Sequence, residues 1–273
     1  MALTSNITSK LTNQQLSIQI GLNGLSFSVL DSDTNTIIAL KQFDFDRKLN
    51  PLELLDRIKE IFSLEEELQG NFTNVTVIHD NELSTLVPKP LFNEEALADY
   101  LKFNSKILKT DYICYDESSL GDSVCVYVPY VNINNYIYDK FGSFTFKHVS
   151  TVLIESILQL EKNSETVKMY VNVNKTHFEL ITLDKSQLLF YNSFDYVTKE
   201  DFIYYLLFTA EQLKLNPEVF ELVFIGDIEK SNDLYKIAYK YIRNVAFGSR
   251  KDIYNYKTST KTDFSNFSLI KSF

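Results

Sequence analysis

No Gly/Ser/Pro-rich stretch interrupts this chain. Glycine occurs 7 times and proline 5 times in 273 residues, which leaves no flexible linker, so the parts it folds into are expected to be closely joined. Cysteine is nearly missing: only Cys114 and Cys125 occur, both in Tyr/Val-rich, strand-like surroundings. A bridge across one hairpin stays open, but buried free thiols are the expectation. The three histidines, His79, His148 and His177, are too well separated to give a recognisable metal spacing, and no metal site is assigned. No run approaches the roughly 20 apolar residues that cross a bilayer, and no early segment combines a basic start, an apolar stretch and a small-residue cleavage site. The expectation is a cytoplasmic protein without a membrane span. A positive charge excess is also missing. The formal net charge is −9 and the isoelectric point is near 5.0, whereas neutralising phosphates needs a concentrated Lys/Arg surface, so no DNA partner is expected. The basic residues Lys236, Lys240, Arg243, Arg250 and Lys251 read as a solvated helix and turn.

Apolar and aromatic residues, by contrast, are plentiful. Hydrophobic residues make up 45% of the chain, with 21 Phe and 17 Tyr, and the length suits two lobes of about 100 to 150 residues each. Leu16 to Phe45 returns as Val167 to Tyr196, displaced by 151 positions. Asn23 meets Asn174, Phe27 meets Phe178, Asp33 meets Asp184, Phe43 meets Phe194 and Asp44 meets Asp195. After a polar leader, Met1 to Gln14, the alternation of Leu16, Ile18, Ile20 and Leu22 marks a strand. Asn23-Gly24 signals a two-residue hairpin, Leu25 to Leu30 is the returning strand, and Ile37 to Phe45 is a third. Beyond Pro51, the spacing of Leu52, Leu55, Ile58, Ile61 and Phe62 draws an apolar helical stripe, and Val75 to Asp80 is a strand. The second half repeats the order, with a hairpin at Asn174-Lys175, a helix capped by Thr198 with Asp201 at the capping-box position, and a strand from Leu222 to Asp227 displaced by 147.

Between the repeats, Glu82 to Phe92 reads as extended and Asn93 to Lys106 as a helix. Tyr112 to Tyr115 and Ser123 to Tyr130 read as a hairpin, Val131 to Phe141 as a short helix, and Ser143 to Lys147 as a strand. The apolar helix through Val152, Leu153, Ile154, Ile157 and Leu158 is placed at the lobe junction. This gives a first lobe over residues 1–150 with an insertion over about 82–141, and a second lobe over 151–273 that includes a packed, aromatic-dotted C-terminal segment, Tyr254 to Phe273.

The segments IQIGLNGLSFSVLD, STVLIESILQL, MYVNVNKTHFELITLDKSQLLFYNSF and LVFIGDIEKSNDLYKIAYKYI resemble the actin-like ATPase superfamily, which includes actin, Hsp70, sugar kinases and pilus-assembly ATPase-like proteins. Within it the chain looks most like a Bacteroidetes protein family with an actin-like fold and no assigned activity. The resemblance implies an α/β, two-lobed fold built from two ribonuclease-H-like strand-strand-strand-helix-strand units. It also implies where a nucleotide would sit. In active members each hairpin carries an Asp-x-Gly-like turn, whose carboxylate orders Mg²⁺ waters and whose small residues admit phosphate. Here the corresponding positions are Gln19 or Gly21 and Tyr170 or Asn172, none of them acidic. A glycine pair after the last strand is reduced to Gly226 in Ile225-Gly226-Asp227.

A degenerate cleft of Gly21, Gly24, Asn172, Asn174, Lys175 and Gly226 is what remains. No catalytic residue is assigned. No G-x-S-x-G elbow is present, and His148 beside Ser150 and Thr151 has no specified third partner. Asp80 and Asp227, equivalent by the repeat, are expected in opposite lobes, ending their strands. The expected function is non-enzymatic: a scaffold that binds an unidentified protein, with no cofactor. The insertion is the expected recognition element, and Tyr112, Tyr115, Tyr127, Tyr130, Tyr136 and Tyr138 are its candidate anchors. The alternatives are a switch or very weak ATPase that binds ATP or ADP through backbone and shape, and, from the resemblance alone, an adaptor for an rRNA-modifying enzyme. Oligomeric state stays open.

Overall fold

A computed structural model describes residues 13–258, 260 and 262–273; most of the polar leader lies outside them. Alternating apolar residues build the first hairpin, β1 (Gln14–Gly21) and β2 (Gly24–Asp31), followed by β3 (Thr36–Asp44). Leu16, Ile18, Ile20, Leu25, Phe27 and Val29 turn into one core, each burial contributing about 1.5–3 kcal/mol. Helix α1 (Pro51–Leu64) starts at a complete capping box: the Asn50 side chain accepts from the amides of Leu52 and Glu53, and the Glu53 carboxylate accepts from the Asn50 amide. Pro51 sits at its first position, where its missing N–H costs nothing. Leu54, Ile58, Ile61 and Phe62 form the buried stripe. Strand β4 (Asn74–Asp80) returns parallel to β1.

The chain then leaves for a small separate sheet: β5 (Ser84–Pro88), the short helix α2 (Leu97–Leu101), β6 (Cys114–Glu117) and β7 (Ser123–Tyr127). Its own core is Val87, Leu101, Val124 and Val126. The long helix expected from Asn93 shrinks to a 3-10 turn at Glu94–Ala96 and the five residues of α2. Helix α3 (Val131–Phe141) returns to the first core, into which Ile133 and Ile137 are buried, rather than joining the small sheet. Then come β8 (Thr145–His148) and the junction helix α4 (Val149–Leu160).

The second unit follows the order of the first: β9 (Val167–Val173), β10 (His177–Asp184), β11 (Gln187–Asp195), α5 (Lys199–Gln212) and β12 (Glu221–Gly226). Thr198 and Asp201 complete a capping box at α5. Helix α6 (Asp233–Tyr241) and β13 (Asn244–Phe247) extend it. The final stretch adds β14 (Asn255–Tyr256) and α7 (Phe267–Lys271). Among the described residues the sheets run β14-β3-β2-β1-β4-β8, β11-β10-β9-β12-β13 and β5-β7-β6.

Three expectations are corrected. The C-terminal segment does not stay with the second lobe: β14 pairs in parallel with β3, and Ser268 and Ser272 of α7 and its end bond to Gln19 and Ser17 of β1. Arg250 is no surface cation but a buried anchor for this return, bonded to Asp252 and to the carbonyls of Thr262 and Ser265. The hairpin turns are also displaced. Gly21 pairs with Gly24, so the first turn is Leu22-Asn23, and the Asn174 amide donates to the His177 carbonyl at 3.0 Å, so the second is Lys175-Thr176.

The repeat displacement changes with them. Gln15 opposes Asn74 and Lys168 opposes Glu221. With β4 and β12 related by 147, the first hairpin is therefore related to the second by 153, and Gln19 corresponds to Asn172, Gly21 to Asn174 and Gly24 to His177. The displacement falls to 151 at β3 and β11 because the turn between Asp31 and Thr36 is two residues longer than that between Asp184 and Gln187.

Candidate functional site: the cleft between the two hairpins

The two hairpin tips face each other across the lobes. Asn23 Nδ2 donates to Thr176 Oγ1 at 2.6 Å and ties one tip to the other. Beneath that tie lies a cavity of about 100 Å³ lined by Gln19, Gly21, Asn23, Gly24, Asp80, Asn174, Lys175, His177 and Asp227, among others. A second cavity, of about 150 Å³, shares Asn23, Asp80 and His177 and runs toward Lys48, Pro51 and Tyr130. Both fall below the roughly 300–1,000 Å³ of pockets that take a small molecule. Asp80 and Asp227, which the repeat places in opposite lobes, line the same small cavity.

The residues expected to form a degenerate nucleotide site separate into two groups. Gly21, Gly24, Asn174 and Lys175 line the cavity; Asn172 and Gly226 are buried away from it. Gly226 has φ +88°, and a Cβ there would stand 2.5 Å from the Val173 carbonyl and 2.7 Å from Asn172 Oδ1. Its amide donates to the Phe264 carbonyl of the returning tail at 2.9 Å. The glycine is thus required by close backbone packing. Lys175 is exposed on its turn.

What fills the cleft is a network that sequence reasoning missed. His177 Nε2 lies 3.3 Å from Asp80 Oδ1 and 3.2 Å from Glu179 Oε1. Gln19 Nε2 donates to Asp80 Oδ2 at 3.0 Å, and Asn172 and Asn174 each donate to Glu179 Oε2 at 2.9 Å. Gln19 is itself held by Ser268 at 2.6 Å. Burial works against the His177 imidazolium, yet the facing Asp80 and Glu179 hold its pKa well above the ordinary value. Burial likewise raises the Asp80 pKa, but His177 and the Gln19 bond outweigh that and keep it below the usual carboxylate value. Glu179 is 1% exposed; an acidic residue alternating into an otherwise apolar strand was the available signal, since buried carboxylates are paired or ligating.

His148 Nδ1 and Ser150 Oγ lie 2.7 Å apart, but neither side chain reaches solvent. The same Nδ1 caps α4 by accepting from the Ser150 amide, and His148 Nε2 meets the Asn81 carbonyl at 3.0 Å. Cys114 and Cys125 are free, and burial pushes each thiol up to about 12, far from the reactive thiolate range. Of the candidate anchor tyrosines, Tyr127 and Tyr130 are buried, Tyr115 and Tyr136 half-buried, and Tyr112 and Tyr138 exposed.

A larger concavity lies on the insertion side. A groove of about 970 Å³ runs between Leu83–Leu86, Phe103–Lys106 and Phe190–Ser193. Consecutive residues of β5 and of β11 line it; because strand side chains alternate between faces, the groove meets both strands edge-on. Each is the terminal strand of its sheet. The Val128 amide donates to the Leu83 carbonyl and the Lys89 amide to the Asp122 carbonyl, so by antiparallel alternation Ser84 and Leu86 turn their backbone groups outward.

Two units on one strand-strand-strand-helix-strand plan, with hairpin tips meeting across a cleft, define the actin-like ATPase fold. A Bacteroides thetaiotaomicron VPI-5482 protein of that fold and unknown function superposes with a TM-score of 0.81 at 23% identity, covering 96% of this chain and 95% of its own. A PilM-PilN type IV pilus biogenesis complex is similar with a TM-score of 0.62 at 13% identity, covering 93% and 96%. The chain belongs to the family described as protein of unknown function DUF3822, whose model matches residues 4–245. No curated protein matches it. Among the described residues no helix is long and apolar enough to cross a membrane.

Proposed function

We propose that the protein is a non-catalytic, actin-like interaction scaffold whose groove between β5 and β11 takes an extended segment of a partner protein as an added strand. The observation that carries this is the edge-on pair of terminal strands around a 970 Å³ groove. An exposed edge offers unpaired N–H and C=O groups that a partner strand satisfies, and natural proteins otherwise cover or blunt such edges. Phe103, 81% exposed at the rim, supplies an apolar contact for the incoming chain. A protein of this fold occurs in a PilM-PilN complex, which supports a partner-binding use of the architecture. The division at about residue 150 into two lobes belongs to the same proposal, the first carrying the recognition sheet and the second contributing β11, with the tail from β14 onward returned to the first sheet.

Photo-crosslinking groups placed in turn at Phe103, Asn192 and, as a control, Tyr241 test it in the native host. The same extended peptide of one protein is expected at both groove positions and not at the control; equal yields at the three positions would sink the proposal. A nucleotide-dependent switch is tested separately by titrating ATP and ADP with Mg²⁺ in a calorimeter. The closed cleft leads us to expect no saturable heat.

A further inference from the structure

We propose that Asp80, His177 and Glu179 form a binding site for a single divalent transition ion of the Zn²⁺ class, held between the two hairpins. The site is separate from the groove of the proposed function, so either can fail without the other.

Ligating atoms of Asp80, His177 and Glu179, one from each, lie within 4.8 Å of one another. The two separations from the ring nitrogen are 3.3 Å and 3.2 Å. A tetrahedral ion with bonds of about 2.0–2.1 Å requires ligand atoms about 3.3–3.4 Å apart, so the spacing already matches two edges of such a site.

A proton on the ring answers this arrangement only in part, and an ion bound here displaces it. One N–H on Nε2 can point at one acceptor, while two carboxylate oxygens and the Asn174 amide nitrogen, 3.1 Å away, surround the same atom. An ion satisfies the imidazole lone pair and both oxygens at once.

The surroundings have the form of an outer shell. Each carboxylate has one oxygen held by side-chain amides, Asp80 Oδ2 by Gln19 and Glu179 Oε2 by Asn172 and Asn174. The other oxygen of each is thereby turned toward His177 Nε2. Fixing the ligands from behind is what outer-shell partners do in metal centres. Gln19 and Asn172 occupy corresponding strand positions in the two units, so both carboxylates are oriented by the same device. Two carboxylates and a neutral imidazole carry two negative charges, which a divalent ion balances. Asp80 and His177 line both cleft cavities, which gives an entry path and room for a water in the fourth position. The imidazole favours a zinc-like ion over Mg²⁺ or Ca²⁺, which prefer all-oxygen shells.

The test uses the full chain stripped with EDTA and titrated with Co²⁺ as a spectroscopic probe, followed by Zn²⁺. One equivalent of Co²⁺ is expected to give visible absorption of tetrahedral character, and Zn²⁺ to abolish it. His177→Gln and Asp80→Asn, with circular dichroism unchanged, are expected to weaken binding at least tenfold. Gln19→Ala is expected to retain the spectrum with affinity lowered about 10- to 100-fold, as for lost outer-shell partners. Should the ligand variants not fold, the unfolding midpoint of the unaltered protein in Zn²⁺ against EDTA decides, and a rise is expected. Absence of the cobalt spectrum, its persistence unchanged in folded His177→Gln, or an unshifted midpoint each overturns the proposal.

Discussion

The two units share a plan and fill it with different chemistry. At the centre of the second, Phe178, Phe202 and Phe224 stack and cross with centroids 4.8 Å and 6.2 Å apart. Through the structural register the same positions of the first are Leu25, Leu54 and Val77, all buried. The first unit pairs Phe27 with Phe43 in its sheet at 6.2 Å and gains further aromatic packing from the periphery, where Phe62 meets Tyr136 and Phe141 of α3. Only the first unit therefore leans on α3. One backbone plan accepts both solutions because a core needs filled volume and apolar patterning more than particular side chains.

The largest expected effect breaks this contrast directly. Phe202→Ala removes a ring that is fully buried between two others and is expected to cost about 3–5 kcal/mol, at or above its counterpart Leu54→Ala at about 2–5 kcal/mol. Urea unfolding of both variants measures it. A smaller loss from Phe202→Ala would mean that the aromatic cluster is not the keystone of its unit.

A second contrast lies in ionisation. His148 sits at the end of β8 in the first sheet, where burial lowers its pKa to about 4 despite the Asn81 carbonyl and Asp80, which raise it. The second unit has no buried neutral histidine at the end of its corresponding strand. A folded-state value below the unfolded value of about 6.5 means that the unfolded chain binds the proton first. The stabilisation is complete above about pH 6.5 and is lost as the pH falls toward 4, roughly 3 kcal/mol in all. His148→Asn keeps a capping side chain without a titrating group, so its unfolding midpoint is expected to fall less steeply over that window. Parallel curves for the two proteins would remove His148 from the account.

How much of this was legible in the sequence follows from strand geometry. The element order and the Thr198–Asp201 capping box were readable, because each rests on local periodicity and short-range bonding, whereas the Asn50–Glu53 box emerged only from the structure. Hairpin register was not. A shift of one residue turns a strand's apolar set outward, but a shift of two preserves the alternation. Displacements of 151 and 153 therefore looked equally good along Leu16 to Leu30, and matches such as Phe27 with Phe178 favoured the wrong one. Phe43 with Phe194 was right, since the turn after Asp31 absorbs the two extra residues. The cleft network escaped for another reason: Asp80 and His177 come from different units, and only the meeting of two hairpin tips brings them within 3.3 Å. The return of β14 to β3 was equally hidden, because two residues of pairing leave no periodic signature.

The smallest expected effect sharpens the comparison where the units are most alike. Both helices after the third strand begin with a reciprocal cap, Asn50 with Glu53 and Thr198 with Asp201. The Glu53 carboxylate also holds Arg47 at 2.6 Å, whereas Asp201 accepts amides from Val197 and Thr198. Bonds to Arg47 and to the Asn50 amide hold the Glu53 pKa below its usual value, and bonds from the Thr198 and Val197 amides do the same for Asp201. Asn50→Ala and Thr198→Ala are each expected to cost about 1 kcal/mol, within the 0.5–2 kcal/mol typical of a lost N-cap. Because the exposed Arg47 pair is screened by salt while the backbone bonds at Asp201 are not, the difference between Glu53→Gln and Asp201→Asn is expected to shift as salt rises. Denaturant midpoints at low and high ionic strength measure it. A salt-independent difference would show that the first cap, like the second, rests on backbone amides alone.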